Sequence, residues 1–438
     1  MLNIIHNIRL LTFIISWIAA FISIVNNQNA IVDIGVFSFG IFLFLNLFFL
    51  TIQSYFIIFI LIILSVLLFH QFPSMVEIYQ GGKFILIFAG LIPTMGLVRA
   101  AALKLNSVKE TQKLLSKLST DISSTGFQIA SHLSGSIINT GVFPMLAASI
   151  PQGSHHDYRK KVAEASIRGM ASSVIWSPFF VAFAVGQVFI DTFNSWLGLL
   201  FGVFISIVFT SVSIFLLNRD INLNKLLNSI ACLRPIFIYL VVIMTIIVSC
   251  ALLFNLTALS AVILIMPILI LIQCIVRPKQ IMSITSQTIT SMRNNIDDVV
   301  IISLAMMVGY LVTQSESHQH ILEIYNFQNI PEFFVFITIP TIMCIGSIIC
   351  VHPVISSTVL LTIFTSNQFD LNHALLMQAH LIGWCAGTLS SVASLTVITC
   401  SNLFKVSSIK IAFGENVYVV FFFALFGGLI LGTLNLFY

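Results

Sequence analysis

Long apolar runs separated by short polar breaks fill this chain from end to end. The runs are close to 20 residues, and their period is helical or continuous. About 20 apolar residues form a helix that spans a hydrocarbon core of about 30 Å. Membrane barrels instead alternate over segments of about ten residues, a pattern absent here. The pattern predicts spans at 10–25, 34–52, 54–70, 84–103, 163–190, 196–217, 236–255, 257–276, 299–314, 372–400 and 417–438. Two further apolar stretches, 121–150 and 333–366, need separate treatment. The first carries Ser, Gly, Asn and Thr at its centre, a poor composition for facing lipid. The expected fold is an all-α polytopic membrane protein, with eleven transmembrane helices plus two re-entrant hairpins.

Composition agrees. The chain is 58% hydrophobic and 8% charged, with mean hydropathy +1.07. Soluble domains carry about 25% charged residues, so a soluble globular protein is excluded. The seven cysteines lie in or beside apolar runs without a CxxC pair, which supports neither a zinc site nor a disulfide framework. Arg9 precedes an apolar run with no small-x-small cleavage site directly after it. It is read as an uncleaved first span.

Charge sets the expected orientation and introduces the hairpins. Lys104, Lys109, Lys113 and Lys117 precede 121–150, and Arg159, Lys160 and Lys161 follow it. A single crossing would put one basic flank outside. A hairpin broken at Ser134-Gly135-Ser136 keeps both inside. The stretch 333–366 mirrors it between flanks without Lys or Arg: the loop 315–332, with Glu316, Glu323 and Glu332, and the exit Ser366–Asp370. A further basic loop holds Arg219, Lys225 and Arg234. On this threading 17 of the 19 Lys and Arg lie on one side, the positive-inside bias of a cytoplasmic membrane. The N-terminus is then cytoplasmic and the C-terminus external. The net charge of +4 serves orientation and implies no nucleic-acid partner. Segments 104–118 and 277–298 are basic with apolar faces and are expected to lie along the interface.

The two halves share an order of features. Gly135-Ser136-Ile137-Ile138 recurs as Gly346-Ser347-Ile348-Ile349, and Pro144 and Pro353 follow. Each hairpin precedes a span with an early glycine, Gly169 or Gly383, that turns polar midway. The first has Ser172, Ser173 and Ser177-Pro178. The second has Gly387, Thr388, Ser390, Ser391 and Ser394. Opposite flanks make these inverted-topology repeats, which place a substrate near the midplane between broken helices. The expected organisation is an extra span at 1–33, a first repeat at 34–217 and a second at 234–438.

Broken helices expose unpaired backbone groups. Their N-terminal ends attract anions, and their carbonyl ends with nearby hydroxyls coordinate cations. The candidate substrate- or ion-binding residues are Ser134, Ser136, Asn139, Thr140, Ser173 and Ser177 in the first half. In the second they are His352, Ser356, Ser357, Thr358, Thr388, Ser390 and Ser391. Against this stands the ordinary role of membrane Ser and Thr, bonding back to their own helix. His132 and His352 lie near the tips, where His can carry a proton or sit neutral against backbone. Arg168 is expected to snorkel to the cytoplasmic surface or to attract an anionic substrate. His155-His156-Asp157 reads as a solvated loop. No Asp or Glu lies at the centre of a span, which tilts the reading away from proton antiport.

This layout resembles the ion transporter superfamily of elevator carriers, including the divalent anion:sodium symporters. Family hairpin tips carry Ser-Asn-Thr. The first tip here reads Ile138-Asn139-Thr140, matching at Asn139 and Thr140, and the second has no Asn-Thr. The resemblance implies two inverted repeats of five spans, each with a hairpin, plus an extra first span. The function expected is secondary active transport of a small, anionic metabolite. The partners are that substrate and the bilayer, sodium or a proton is the coupling ion, no other cofactor or metal is needed, and a homodimer is allowed. A cation/proton antiporter on a related fold and a membrane-embedded enzyme or lipid-handling protein stand as alternatives.

Overall fold

A computed structural model describes residues 2–26, 28–69, 72–218, 222–314, 330–365, 369–392 and 394–437. Glu316 and Glu323 of the expected outer loop, Ser366 to Gln368 of the hairpin exit, and Arg219 lie outside the described residues. Everything described is helix or connection, without a strand.

The chain opens with α1 (Leu2–Val25), α2 (Asn29–Asn46), α3 (Ile52–Leu68) and α4 (Met75–Ala102). Helices α2 and α4 begin earlier than the hydropathy predicted. Short α5 (Asn106–Leu115) follows. It buries Val108, Thr111 and Leu115 and leaves its lysines exposed, the amphipathic helix expected there. Next come α6 (Thr120–Ile138), a 3-10 turn at Asn139–Gly141, α7 (Val142–Ala147), α8 (His156–Ser173), α9 (Val181–Phe189) and α10 (Thr192–Leu217). The basic loop after α10 contains a helix that hydropathy missed, α11 (Leu223–Ala231). Lys225 on α11 pairs with Asp121 at 2.9 Å. Then follow α12 (Arg234–Leu253), α13 (Ala258–Val276), α14 (Ile281–Asn294) and α15 (Ile296–Gln314). The last elements are α16 (Glu332–Ile348), α17 (Pro353–Phe364), α18 (His373–Ser390), α19 (Leu395–Phe404), α20 (Ser408–Ala412) and α21 (Glu415–Asn435).

Eight of the described helical segments are long and apolar enough to cross a membrane, or nine if 278–294 and 296–312, bent by 56°, form one span. The expected spans 54–70 and 163–190 are not among them. The first folds as a short apolar helix, Ile52–Leu67. The second is the broken pair α8 and α9. Large apolar side chains stand exposed along these helices, Phe37, Phe204 and Tyr418 among them. A solvated surface does not carry so much apolar area. The protein is an all-helical, multi-pass membrane protein.

The chain divides into two compact units, Met1–Ala101 with Ile247–Asn329, and Ala102–Ile246 with Ile330–Tyr438. Each unit draws on both halves of the sequence. In the first, α1 and α2 pack antiparallel, with Phe13 stacked on Phe42 at 4.3 Å and Arg9 Nε donating to Asn46 Oδ1 at 2.6 Å. Trp17 Nε1 donates to Thr94 of α4 at 3.0 Å. Helix α14, in the segment expected to lie along the interface, falls wholly within this unit. The chain changes unit after Ala101, inside α12, and after Asn329.

In the second unit, α6 and α8 run side by side and parallel. His132 meets Ser172 and Gln128 meets Arg168, both 40 positions apart. Two consecutive helices can be parallel only if the link between them runs back along their length. Residues 139–155 make that return, and Gln112 of α5 donates to the Met145 carbonyl of α7 on the way. Residues 119 and 156 therefore lie at the same end of the pair. The second hairpin repeats this register, with Met343 against Gly383 and Ser347 against Gly387. Gly169 and Gly383 are the points of closest approach. A Cβ on Gly169 would stand 2.0 Å from the Gln128 carbonyl oxygen, and one on Gly383 would stand 3.0 Å from Pro340 Cα. The early glycines noted in sequence exist because a neighbouring backbone occupies the space of their side chain.

Candidate functional site

The first hairpin does not break where expected. Ser134, Gly135 and Ser136 are helical, and α6 continues to Ile138. Gly135 is small because α8 packs there: its Cβ would lie 3.4 Å from Met170 Cα and Ser173 Oγ. The break falls at Asn139, with φ 51° and ψ −135°. A positive φ with this ψ is the conformation of the first central residue of a type II′ turn, where glycine is favoured, so the break holds Asn139 in a strained backbone. The Asn139 side chain accepts from the Thr140 amide at 2.7 Å.

The register of α6 on α8 brings this tip to the break in the following span. Helix α8 stops at Ser173, and 174–180 is turn before α9. There the Ser177 hydroxyl donates to the Ser136 carbonyl and accepts from the Phe179 amide. Ser173 and Ser136 donate back to Met170 and Leu133. Ser134 Oγ and Trp176 Nε1 are buried with no hydrogen-bond partner. Thr140 is buried beside them in sequence.

The second tip is built alike. Helix α16 ends at Ile348, Cys350 is left-handed (φ 66°), and Pro353 starts α17. His352 caps α17, its Nδ1 accepting from the Val354 amide at 3.2 Å. That bond requires an unprotonated Nδ1. Ser347 Oγ is buried without a partner and faces Gly387 of α18. Helix α18 stops at Ser390, and Ser394 caps α19 while donating to the Thr388 carbonyl at 3.0 Å. Thr388, Ser390 and Ser356 donate to carbonyls of their own helices. Ser391 and Thr358 are buried. Five of the thirteen candidates, Ser136, Ser173, Ser356, Thr388 and Ser390, thus perform the local bonding that membrane Ser and Thr normally do. Unpartnered buried groups near the breaks include Ser134, Trp176 and Ser347, and Ser131 and Thr341 lie further along the same hairpin helices. A buried hydroxyl left unpaired costs about 1–3 kcal/mol.

The two broken spans run antiparallel. Cys400 Sγ approaches the Ala163 carbonyl, Gln378 donates to the Ile175 carbonyl at 3.2 Å, and His380 Nε2 pairs with the Ala182 carbonyl at 2.8 Å. Each hairpin's return arm packs on the far half of the other broken span, α7 on α19 and α17 on α9. His380, which sequence reading passed over, ties this crossing together. It is fully buried, with Ser357 Oγ on Nδ1 at 2.9 Å. A lone His in an apolar run carries no signal of a cross-chain role.

Arg168 does not snorkel. It is 2% exposed, with Nη1 donating to Asn416 Oδ1 at 2.7 Å and Nε to Gln128 Oε1 at 3.4 Å. One turn earlier Glu164 is 3% exposed, and Lys160 lies 3.8 Å away. A span boundary drawn at 163 hid this carboxylate, because α8 starts a full two turns earlier. For the same reason His155, His156 and Asp157 are not a loop. They cap and begin α8, exposed. Among the described residues no cluster of His, Cys, Asp and Glu suits a metal. No protein-family model matches the chain, and no curated protein is significantly similar to it.

Proposed function

We propose that this protein is a secondary active transporter for a small, anionic metabolite, working by elevator-type alternating access in the cytoplasmic membrane. One observation carries the reading: within a single compact unit, two hairpin tips each meet the break of a parallel span, and the two broken spans cross antiparallel. We read this as a pair of inverted-topology repeats, the architecture that places substrate between discontinuous helices. Helices α9, α17 and α19 all start at the breaks, and helix N-termini favour anions. The carbonyl ends of α6 and α16 suit sodium. The hydroxyls of Ser134 and Ser347 and the indole of Trp176 supply groups in want of a partner. The unit holding both hairpins is the moving body on this reading, and the more apolar first unit is the scaffold and homodimer interface.

A second reading, cation/proton antiport, draws on Glu164, a buried carboxylate on the broken span. Intramembrane carboxylates mark proton pathways. One experiment separates the two. The protein is reconstituted in proteoliposomes, and uptake of labelled succinate, citrate and gluconate is followed under imposed sodium or proton gradients. Accumulation of one carboxylate against its gradient supports the first reading. Cation-driven proton flux with no carboxylate uptake supports the second. Neither flux removes both.

A further inference from the structure

Within the first unit, away from the hairpins, lies a cavity of about 540 Å³ lined by His6, Asn7, Arg9, Leu10, Phe13, Phe42, Met292, Arg293 and Ile296. Its volume falls in the range of small-molecule sites, about 300–1,000 Å³. Its charged lining is cationic, Arg9 and Arg293, with the His6 imidazole beside them. Its remaining lining is mainly apolar, with Phe13 and Phe42 stacked at one wall.

Arg9 is the unusual member. It is 5% exposed, and a buried charge is costly unless it is paired. Asn46 Oδ1 takes its Nε at 2.6 Å and His6 Nδ1 meets its Nη1 at 3.1 Å, while Phe49 lies under the guanidinium at 4.5 Å. Those partners are neutral and fix the orientation of the fork without cancelling its charge. Asp297 attracts Arg9 electrostatically without touching it. One of its oxygens accepts from the Thr51 amide and hydroxyl and from Ser54 at the start of α3. Arg9 makes no ion pair among the described residues, and guanidinium has five donors. An oriented, buried guanidinium with no carboxylate in direct contact, beside a second arginine, is a site for an oxyanion, and a phosphate suits the fork.

We propose that this cavity binds an anionic phospholipid. Its phosphate would sit between Arg9 and Arg293, and an acyl chain would lie along Leu10, Phe13, Phe42 and Ile296. The apolar half of the lining favours lipid over a free anion. So does the position at the ends of α1 and α14, which basic-loop asymmetry assigns to the cytoplasmic surface. Basic pockets between membrane helices on that side suit anionic headgroups.

The test measures thermal unfolding of the full-length protein in maltoside detergent. Dioleoylphosphatidylglycerol, dioleoylphosphatidylcholine or sodium phosphate is titrated in, and native mass spectrometry counts retained lipid. Phosphatidylglycerol should raise the midpoint saturably, with one lipid retained per chain, and phosphatidylcholine should not. Arg293→Gln, an exposed position, should fold normally and weaken the apparent affinity at least tenfold. Arg9→Gln should abolish the effect if it folds. An equal response to both lipids, a saturable response to phosphate alone, or unaltered affinity in Arg293→Gln overturns the proposal.

Discussion

Gly169 shows how much a single atom decides here. A methyl group at this position has no room, because the Gln128 carbonyl already fills the space. Gly169→Ala is expected to push α6 off α8 and lower stability by about 1–3 kcal/mol, the usual cost of overpacking. Gly346→Ala, whose nearest neighbour would be 3.7 Å away, is expected to be nearly silent. Thermal unfolding of the two variants side by side checks this, and equal midpoints would contradict the packing argument. At Asn139 conformation and chemistry can be separated. Asn139→Gly keeps the left-handed backbone but loses the side-chain oxygen, whereas Asn139→Ala loses both. If the tip contacts substrate, both should abolish uptake while protein stays in the membrane, and Thr140→Ala likewise. Activity surviving in the glycine variant alone would give Asn139 a backbone role only. None of these distinctions is visible in sequence, because Gly and Asn in an apolar run are equally compatible with a kink, a close contact or a site.

At the scale of elements, the parallel register of α6 and α8 makes topology testable. Cysteines at Ser119 and Gln152, both exposed, should react from the same cytoplasmic side in a background lacking native cysteines. Labelling from opposite sides would end the hairpin reading. The two stretches read as hairpins were marked by charge, basic flanks on both sides of the first and none on either side of the second. Their break points were not. Ser134-Gly135-Ser136 looked like the weakest stretch of helix, but tertiary contact with α8 rewards small residues there and the helix persists. Helix α11 was missed because basic residues marked its segment as loop; it packs against α6 with Lys225 paired to Asp121, while Leu223, Leu227 and Ile230 stand exposed.

For the whole molecule, the division into two units matters most. If the second unit moves as one body, constraints inside it should be harmless. An Ala163→Cys variant sits against native Cys400, whose sulfur is 3.6 Å from the Ala163 carbonyl. Oxidative cross-linking of that pair joins the two broken spans. Transport is expected to continue within about twofold of the reduced protein. Loss of transport that reduction restores would mean that the broken spans move against each other and that gating is local. The reading of unit 1 as scaffold predicts, in turn, that dimer cross-links form through α1–α4 and α12–α15 and not through the hairpins, as cysteine scanning would record.

Sequence alone determined what depends on solvent. Apolar run length, charge asymmetry and polar centres sort residues between lipid, water and protein, and each is a one-dimensional property of the chain. Membrane class, helical fold, the hairpin stretches and the breaks in the spans after them were all accessible that way. Only tertiary structure decided which backbone meets which. The crossing of the two broken spans, the burial of Glu164 and Arg168, the role of His380, and the cationic cavity at Arg9 all join residues distant in sequence. Such contacts depend on complementary shape between surfaces, and no local pattern of residues encodes that.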